Sequence, residues 1–218
     1  MKKTTKGEFA LKSLKKNKTD KSWINRHSND HYVHLAKSDG YRSRAAYKLL
    51  EMDDSYRLLA NASCVVDLGS APGSWSQVAR SKMMPNGFML SVDLLTMQEI
   101  RGVNFIQGDF TENNVLEQMI TLLDGRTIDL IISDMAPNLS GVKMVDQAKS
   151  AYLIELVLDF ARNYLKIGGN CLIKIFIGGE FERLIKAARE LFEKVEIQKP
   201  NSSRSNSSET YLLCKSKI

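Results

Sequence analysis

From residue 63 onward, short apolar runs alternate with segments whose apolar residues recur at helical spacing. Residues 63–68 are Val-rich and run into a Gly-rich turn, 87–93 form a second such run and 103–107 a third. Residues 128–134 (IDLIISD) and 170–177 (NCLIKIFI) supply the fourth and fifth. Short runs of this kind, bounded by Gly, Asn and Asp, read as strands. Between them, 74–83, 147–166 and 180–192 have helical periodicity, and Gly168-Gly169 is the expected stop of the long helix. Two last strands, near 195–198 and 210–214, flank the polar loop 201–208. Strands apolar along their whole length are buried on both sides, so the pattern predicts α/β architecture: a mostly parallel, seven-stranded sheet with helices on both faces. The last two strands follow one another without a helix, so one of them is expected to be antiparallel. Ahead of the sheet, 43–52 reads as a helix with Tyr41, Ala45, Leu49 and Met52 on one face. Lys48 lies about 60° around that helix from Ala45, at the border of the stripe, with Arg44 one turn before it. A lysine there either reaches the rim of a site or snorkels at the edge of a core.

Length and charge refine this picture. At 218 residues the chain suits one globular domain, expected over 39–218, behind a basic N-terminal extension over 1–38. The net charge is +6, but residues 1–48 hold 13 Lys and Arg against 4 Asp and Glu, so the rest of the chain is mildly acidic. A basic arm on an acidic body is the electrostatic pattern of a nucleic-acid binder. A solvated tail is the plainer alternative for the first 20 residues. No apolar run approaches the roughly 18–20 residues of a membrane span. The polar, lysine-rich start lacks a secretory apolar region and has no Arg before Arg26. A cytoplasmic protein that does not engage membranes is expected. Cys64, Cys171 and Cys214 lie in apolar, strand-like stretches without Cys-x-x-Cys spacing, which fits buried thiols better than disulfides or a metal site. His27, His31 and His34 share a helical spacing, but no cysteine or acid cluster completes a site, so no metal is expected.

Candidate chemistry begins with VVDLGSAPGSWSQ, residues 65–77, where a buried strand ends at Asp67 and a loop with Gly69 and Gly73 leads into a helix. Glycines let a ligand approach the backbone, and in open α/β sheets ligands sit at the carboxyl ends of strands. The spacing Gly-x-x-x-Gly with Pro72 inside it disfavours a nicotinamide dehydrogenase. Asp93 closes the second strand, where a carboxylate accepts hydrogen bonds from ribose hydroxyls, and Asp109 follows the third, near the place of an adenine amino group. Each acid alone is also a common helix cap or turn former. Asp134 stands at the tip of the fourth strand, and Lys174 lies inside the fifth among apolar neighbours. A buried ammonium is costly unless paired or serving a site, and Asp134 supplies a partner. A structural ion pair is the alternative.

The motifs RSRAAYKL, VVDLGSAPGSWSQ, VDLL, FIQGDF, SDMAPNLSG, IKIF and KPNSSRSNSSETYLL occur in this order over nearly the whole body. In this the chain resembles the FtsJ/RrmJ family of ribosomal RNA 2′-O-methyltransferases. The resemblance implies the Rossmann-like S-adenosylmethionine-dependent methyltransferase fold, that cofactor, and a uridine in the peptidyl-transferase A-loop of 23S (large-subunit) ribosomal RNA as target. It also implies a catalytic tetrad at Lys48, Asp134, Lys174 and Glu209, and cofactor contacts at Gly73, Trp75, Asp93, Asp109 and Asp134. The residue types suit the chemistry: a 2′-hydroxyl attacks the sulfonium methyl in line and is a poor nucleophile while protonated. Lys174 is expected to take that proton or stabilise the developing alkoxide. Asp134 orients Lys174, and Glu209 helps fix the two lysines and the ribose. Opposite charges annihilate in the transition state, so most of the catalysis is positioning. Arg42, Arg44 and Arg204 are expected RNA contacts, the last through phosphate. The expected partner is large-subunit ribosomal RNA in an assembled or nearly assembled subunit, met by a monomer. The nearest rival is 2′-O-methylation of a tRNA anticodon loop or an mRNA cap. A non-catalytic RNA-binding assembly factor is the rival from another class, and the intact tetrad argues against it.

Overall fold

A computed structural model of the chain describes residues 30–138 and 140–218, so the lysine-rich start and His27 lie outside the described residues. Seven strands form one sheet in the order β3-β2-β1-β4-β5-β7-β6. They are β1 (Cys64–Leu68), β2 (Phe88–Asp93), β3 (Asn104–Gln107), β4 (Ile128–Ser133), β5 (Leu165–Phe176), β6 (Phe192–Gln198) and β7 (Glu209–Lys217). The β1–β2, β1–β4, β2–β3 and β4–β5 pairs are parallel, and β7 runs antiparallel to both of its neighbours. The strand order reverses beside β1, the switch point where α/β sheets open a crevice.

Among the described residues, six helices accompany the sheet: α1 (His31–Ser38), α2 (Ala46–Tyr56), α3 (Ser74–Lys82), α4 (Asn113–Leu123), α5 (Lys143–Tyr164) and α6 (Phe181–Arg189). Alternation along the strands splits the core. Val66 and Leu68 of β1 with Cys171, Ile173 and Ile175 of β5 pack with α4, α5 and α6. Val65 of β1 and Leu172 of β5 pack with Leu49, Trp75 and Val78 of α2 and α3. The same period of two places Lys174 on the α2 side of β5, in register with Tyr211 of β7.

Three details depart from the pattern. The long helix ends at Tyr164 and Leu165 is already extended, so Gly168-Gly169 does not cap it. Those glycines lie in β5 where its register with β4 jumps, between the pairs Ile128–Leu165 and Leu130–Asn170. Gly168 takes a positive φ of 75° in this bulge, which explains a glycine inside a strand. The helix expected over 180–192 stops at Arg189, and Phe192 opens β6. Helices α1 and α4 were not singled out; α4 carries Val115, Met119 and Leu123 one turn apart and buries all three. The three cysteines are buried, unpaired thiols, and burial pushes Cys64 up to about 11 and Cys214 up to about 12. Among the described residues, no helix is long and apolar enough to cross a membrane.

Candidate active site

The carboxyl ends of β1 to β4 open onto a cavity of about 500 Å³. Gly69 and Ala71 after β1, Asp93 to Leu95 after β2, Gly108 to Thr111 after β3 and Asp134 to Ala136 after β4 line it, with Tyr152, Leu153 and Leu156 of α5. Gly69 has φ of 75°, and a Cβ there would run into the Met135 side chain, so the β1 and β4 loops approach as only glycine permits. Asp93 shapes the rim: one oxygen accepts from Ala71 N at 2.8 Å and the other from Leu95 N at 2.7 Å. Asp109 Oδ1 accepts from both the backbone and the hydroxyl of Thr111, at 2.9 and 2.7 Å. Both acids are therefore turn formers as well as lining residues, and each carboxylate keeps acceptor capacity for a ligand, on both oxygens of Asp93 and on Oδ2 of Asp109.

Two expected cofactor contacts lie behind this wall. Gly73 caps the start of α3 with φ of 105°, and a Cβ there would meet Met97 Sδ at 2.7 Å and Arg42 Nη1 at 2.8 Å. Trp75 is buried, donates its indole N–H to Ala45 O at 2.8 Å and packs its ring against Tyr211, 5.7 Å between centroids. Trp75 also borders a separate space of about 80 Å³ with Asp67, Ser70, Ser74 and Asp134. Among the described residues, Ser70 Oγ is buried without a hydrogen-bond partner.

The four tetrad residues come together where β4, β5, β7 and α2 converge. Lys48 and Lys174 are each 8% exposed. Lys174 Nζ lies 3.1 Å from Asp134 Oδ1 and also donates to the Asp134 backbone carbonyl. Lys48 Nζ lies 2.7 Å from Glu209 Oε1 and 3.9 Å from Asp134 Oδ1. Two buried ammonium groups thus face two carboxylates, the pairing that makes such burial tolerable. Burial alone would raise the Glu209 carboxyl, but the charge and hydrogen bond of Lys48, with Lys174 and Ser203, hold it below the usual carboxylate range.

Tyr211 completes the cluster and was not among the expected residues. Its hydroxyl donates to Asp134 Oδ1 at 2.7 Å and lies 3.4 Å from Glu209 Oε1. Burial first, then the facing Asp134 and Glu209, push its phenol well above the ordinary value, so it stays a donor. The signal available was its register: two positions after Glu209 on a strand, it shares that residue's face.

A second cavity, of about 180 Å³, is lined by Arg44, Lys48, Arg204, Ser207 and Glu209. Glu51 of α2 accepts from Asn201 N and Ser202 N at 2.6 and 2.9 Å and so pins the polar loop 201–208 over it. Arg44 and Arg204 stand here, both paired with Asp30. Arg42 does not. Its guanidinium donates to Pro72 O at 2.9 Å, Gln98 O at 2.7 Å and Glu99 O at 2.9 Å, tying the Gly69–Gly73 turn to the loop after β2. Among the described residues, no group of three or more His, Cys, Asp and Glu side chains could hold a metal ion.

Comparison with known proteins gives a consistent picture. The FtsJ-like methyltransferase family model matches residues 41–217. Ribosomal RNA large subunit methyltransferase E of Neisseria meningitidis serogroup C is 53% identical over 202 residues, covering 93% of this chain and 98% of the relative. The protein of the same name from Azoarcus sp. strain BH72 is 54% identical over 200 residues, covering 92% and 98%. Among solved structures, a Plasmodium falciparum protein assigned as a ribosomal RNA methyltransferase superposes with a TM-score of 0.73 at 33% identity, covering 82% of this chain and 99% of that one.

Proposed function

The chain belongs to the FtsJ-like methyltransferase family, and from that premise we propose that it transfers the methyl group of S-adenosylmethionine to a ribose 2′-hydroxyl of large-subunit ribosomal RNA. One observation carries this reading: the tetrad stands between two cavities. Asp134 borders the one at the strand ends, while Lys48 and Glu209 border the one with the arginines. A donor in the first and a ribose in the second meet at Asp134 and Lys174.

The larger cavity fits the donor. Its volume of about 500 Å³ lies in the ordinary range for a small-molecule site. Asp93 and Asp109 offer carboxylate acceptors for a ribose diol and an adenine amine, and the exposed Leu94 and Leu95 offer apolar surface beside them. In the small space beside it, the Ser70 hydroxyl, without a partner among the described residues, is available to a polar group next to Asp134. Bound there, S-adenosylmethionine supplies an electrophilic methyl on a sulfonium.

The chain's own residues then do the positioning. Lys174 Nζ is held at two points by Asp134, which leaves its third substituent position for the 2′-oxygen. There it accepts the proton or stabilises the developing alkoxide as the new O–C bond forms in line and the C–S bond breaks. Lys48, fixed by Glu209, balances the carboxylates and borders the ribose side. Tyr211 joins the two carboxylates through its hydroxyl and keeps their spacing. Such preorganisation is the main source of rate when reactants only need to be held in line.

In its finer form, the target is a uridine of the peptidyl-transferase A-loop, met by a monomer in the cytoplasm on an assembled or nearly assembled large subunit. The similarity to relatives named for the large subunit supports this choice over a tRNA or cap substrate. The test supplies radiolabelled S-adenosylmethionine with unmethylated large subunits, free ribosomal RNA, tRNA and capped mRNA side by side. Label should enter the subunits most rapidly. Preferential labelling of tRNA or cap would overturn the substrate assignment, and no labelling anywhere would favour a non-catalytic assembly factor.

A further inference from the structure

Asp30 stands immediately before α1, where its Oδ1 accepts from Tyr32 N at 3.1 Å and caps the helix. Its other oxygen binds two arginines at once: Arg44 Nη1, and Arg204 Nη2 at 3.3 Å. Both guanidinium groups line the cavity shared with Lys48 and Glu209. One carboxylate oxygen between two forked cations, beside the tetrad, is the arrangement a phosphate oxygen takes. Arg44 adds an independent sign that a larger anion fits. Its Nη2 donates to Ser202 O, but its Nε is buried with no acceptor among the described residues. A buried N–H left unsatisfied is costly, and a phosphate brings more acceptor oxygens than the single one Asp30 presents.

The chemistry of the substrate says which phosphate this is. In RNA the 2′-oxygen and the 3′-phosphodiester sit on adjacent ribose carbons. A ribose held with its 2′-hydroxyl at Lys174 must therefore place that phosphate close to the tetrad, away from the donor cavity. Lys48 and Glu209 connect the tetrad to that side, and Arg44 and Arg204 lie there.

We propose that Asp30 is a built-in stand-in for the target strand: the 3′-phosphodiester of the nucleotide being methylated binds between Arg44 and Arg204 and displaces the Asp30 carboxylate. The inference rests on the methyltransferase reading above and adds a gate to it. Before RNA arrives, Asp30 keeps the two arginines apart and oriented. On binding, phosphate replaces it, so a strand must outcompete an internal anion. After transfer, the returning carboxylate favours release.

The test variant is Asp30→Asn, which retains a side-chain oxygen for the helix cap and removes the charge. Binding of an RNA oligonucleotide carrying the target sequence is followed by fluorescence anisotropy at several salt concentrations, with S-adenosylmethionine affinity as the check on folding. Asp30→Asn should bind RNA about fivefold more tightly, as expected for removing one partly buried competitor. Its log–log salt slope should steepen by about 0.7, the contribution of one charge on a single strand. The gain should vanish in the Asp30→Asn/Arg204→Ala double variant, while cofactor affinity stays at the wild-type value in both. Asp30→Ser, also a competent cap, serves if Asp30→Asn loses cofactor binding. Unchanged or weaker RNA affinity in the folded variant, or a gain that survives Arg204→Ala, overturns the proposal. A wild-type protein that methylates subunits while Asp30→Asn shows no gain removes the gate alone. A wild-type protein that binds RNA and transfers no methyl removes the functional reading instead.

Discussion

The two cavities that meet at the tetrad are built in opposite ways. The larger is walled by backbone turns and short acids at four neighbouring strand ends, with Gly69 allowing the β4 loop to close against the β1 loop. The smaller is walled by long cationic side chains borrowed from distant segments. Arg44 reaches a carbonyl 158 residues away, and Arg204 reaches Asp30 across 174 residues. Rigid short groups suit a small donor that must be held in one pose. Long paired side chains suit a strand that enters, exchanges partners and leaves, since on the proposed reading each arginine gives up a contact when it takes a phosphate.

The largest effect falls on the residue between the two cavities. Lys174→Ala should lower kcat by at least about 100-fold, roughly 2.7 kcal/mol, with cofactor affinity nearly unchanged. Retention of more than a tenth of wild-type kcat would remove Lys174 from the chemistry. Asp93→Ala should act on the donor side alone, weakening S-adenosylmethionine binding by roughly 1.5–3 kcal/mol through loss of a charge-assisted acceptor and of the Ala71 and Leu95 bonds. Calorimetric titration reads this directly, and an unchanged dissociation constant would take Asp93 out of the site. Tyr211→Phe strips one donor from both carboxylates and should cost about tenfold in kcat, with little change in either affinity. A change confined to KM would mean that its hydroxyl serves binding rather than the tetrad. The smallest effect concerns Arg42: Arg42→Ala should weaken cofactor binding by about threefold and leave RNA affinity alone, because its guanidinium ties together the loops after β1 and β2. A loss of RNA affinity with unchanged cofactor binding would return Arg42 to the substrate side.

The same contrast explains what was legible in the sequence. Strand ends and their acids are local: Asp67, Asp93 and Asp134 each close an apolar run, so periodicity alone located three of the loops. The tetrad lysine in β5 was visible as a polar residue in an apolar strand, and burial at 8% exposure with Asp134 at 3.1 Å agrees with that expectation. Gly168-Gly169 misled because a bulge glycine and a helix-stop glycine have the same local signature, and only the pairing of β5 with β4 distinguishes them. Arg42 and Arg44, two residues apart, looked alike in sequence, yet one ties the loops after β1 and β2 together and the other lines the smaller cavity. Which partner each arginine finds is decided by tertiary folding. The Asp30 bridge and the Glu51 pin on the polar loop were invisible for the same reason.

Methyl transfer to a ribose hydroxyl leaves a product that transfer to a base does not. A methyl on the 2′-oxygen blocks alkaline hydrolysis of the following phosphodiester, because that oxygen is the internal nucleophile. Large subunits incubated with the protein and S-adenosylmethionine should therefore yield one labelled, alkali-resistant dinucleotide, absent when Lys174→Ala replaces the wild type. Label released entirely as mononucleotides would place the methyl on a base and rule out 2′-O-methylation.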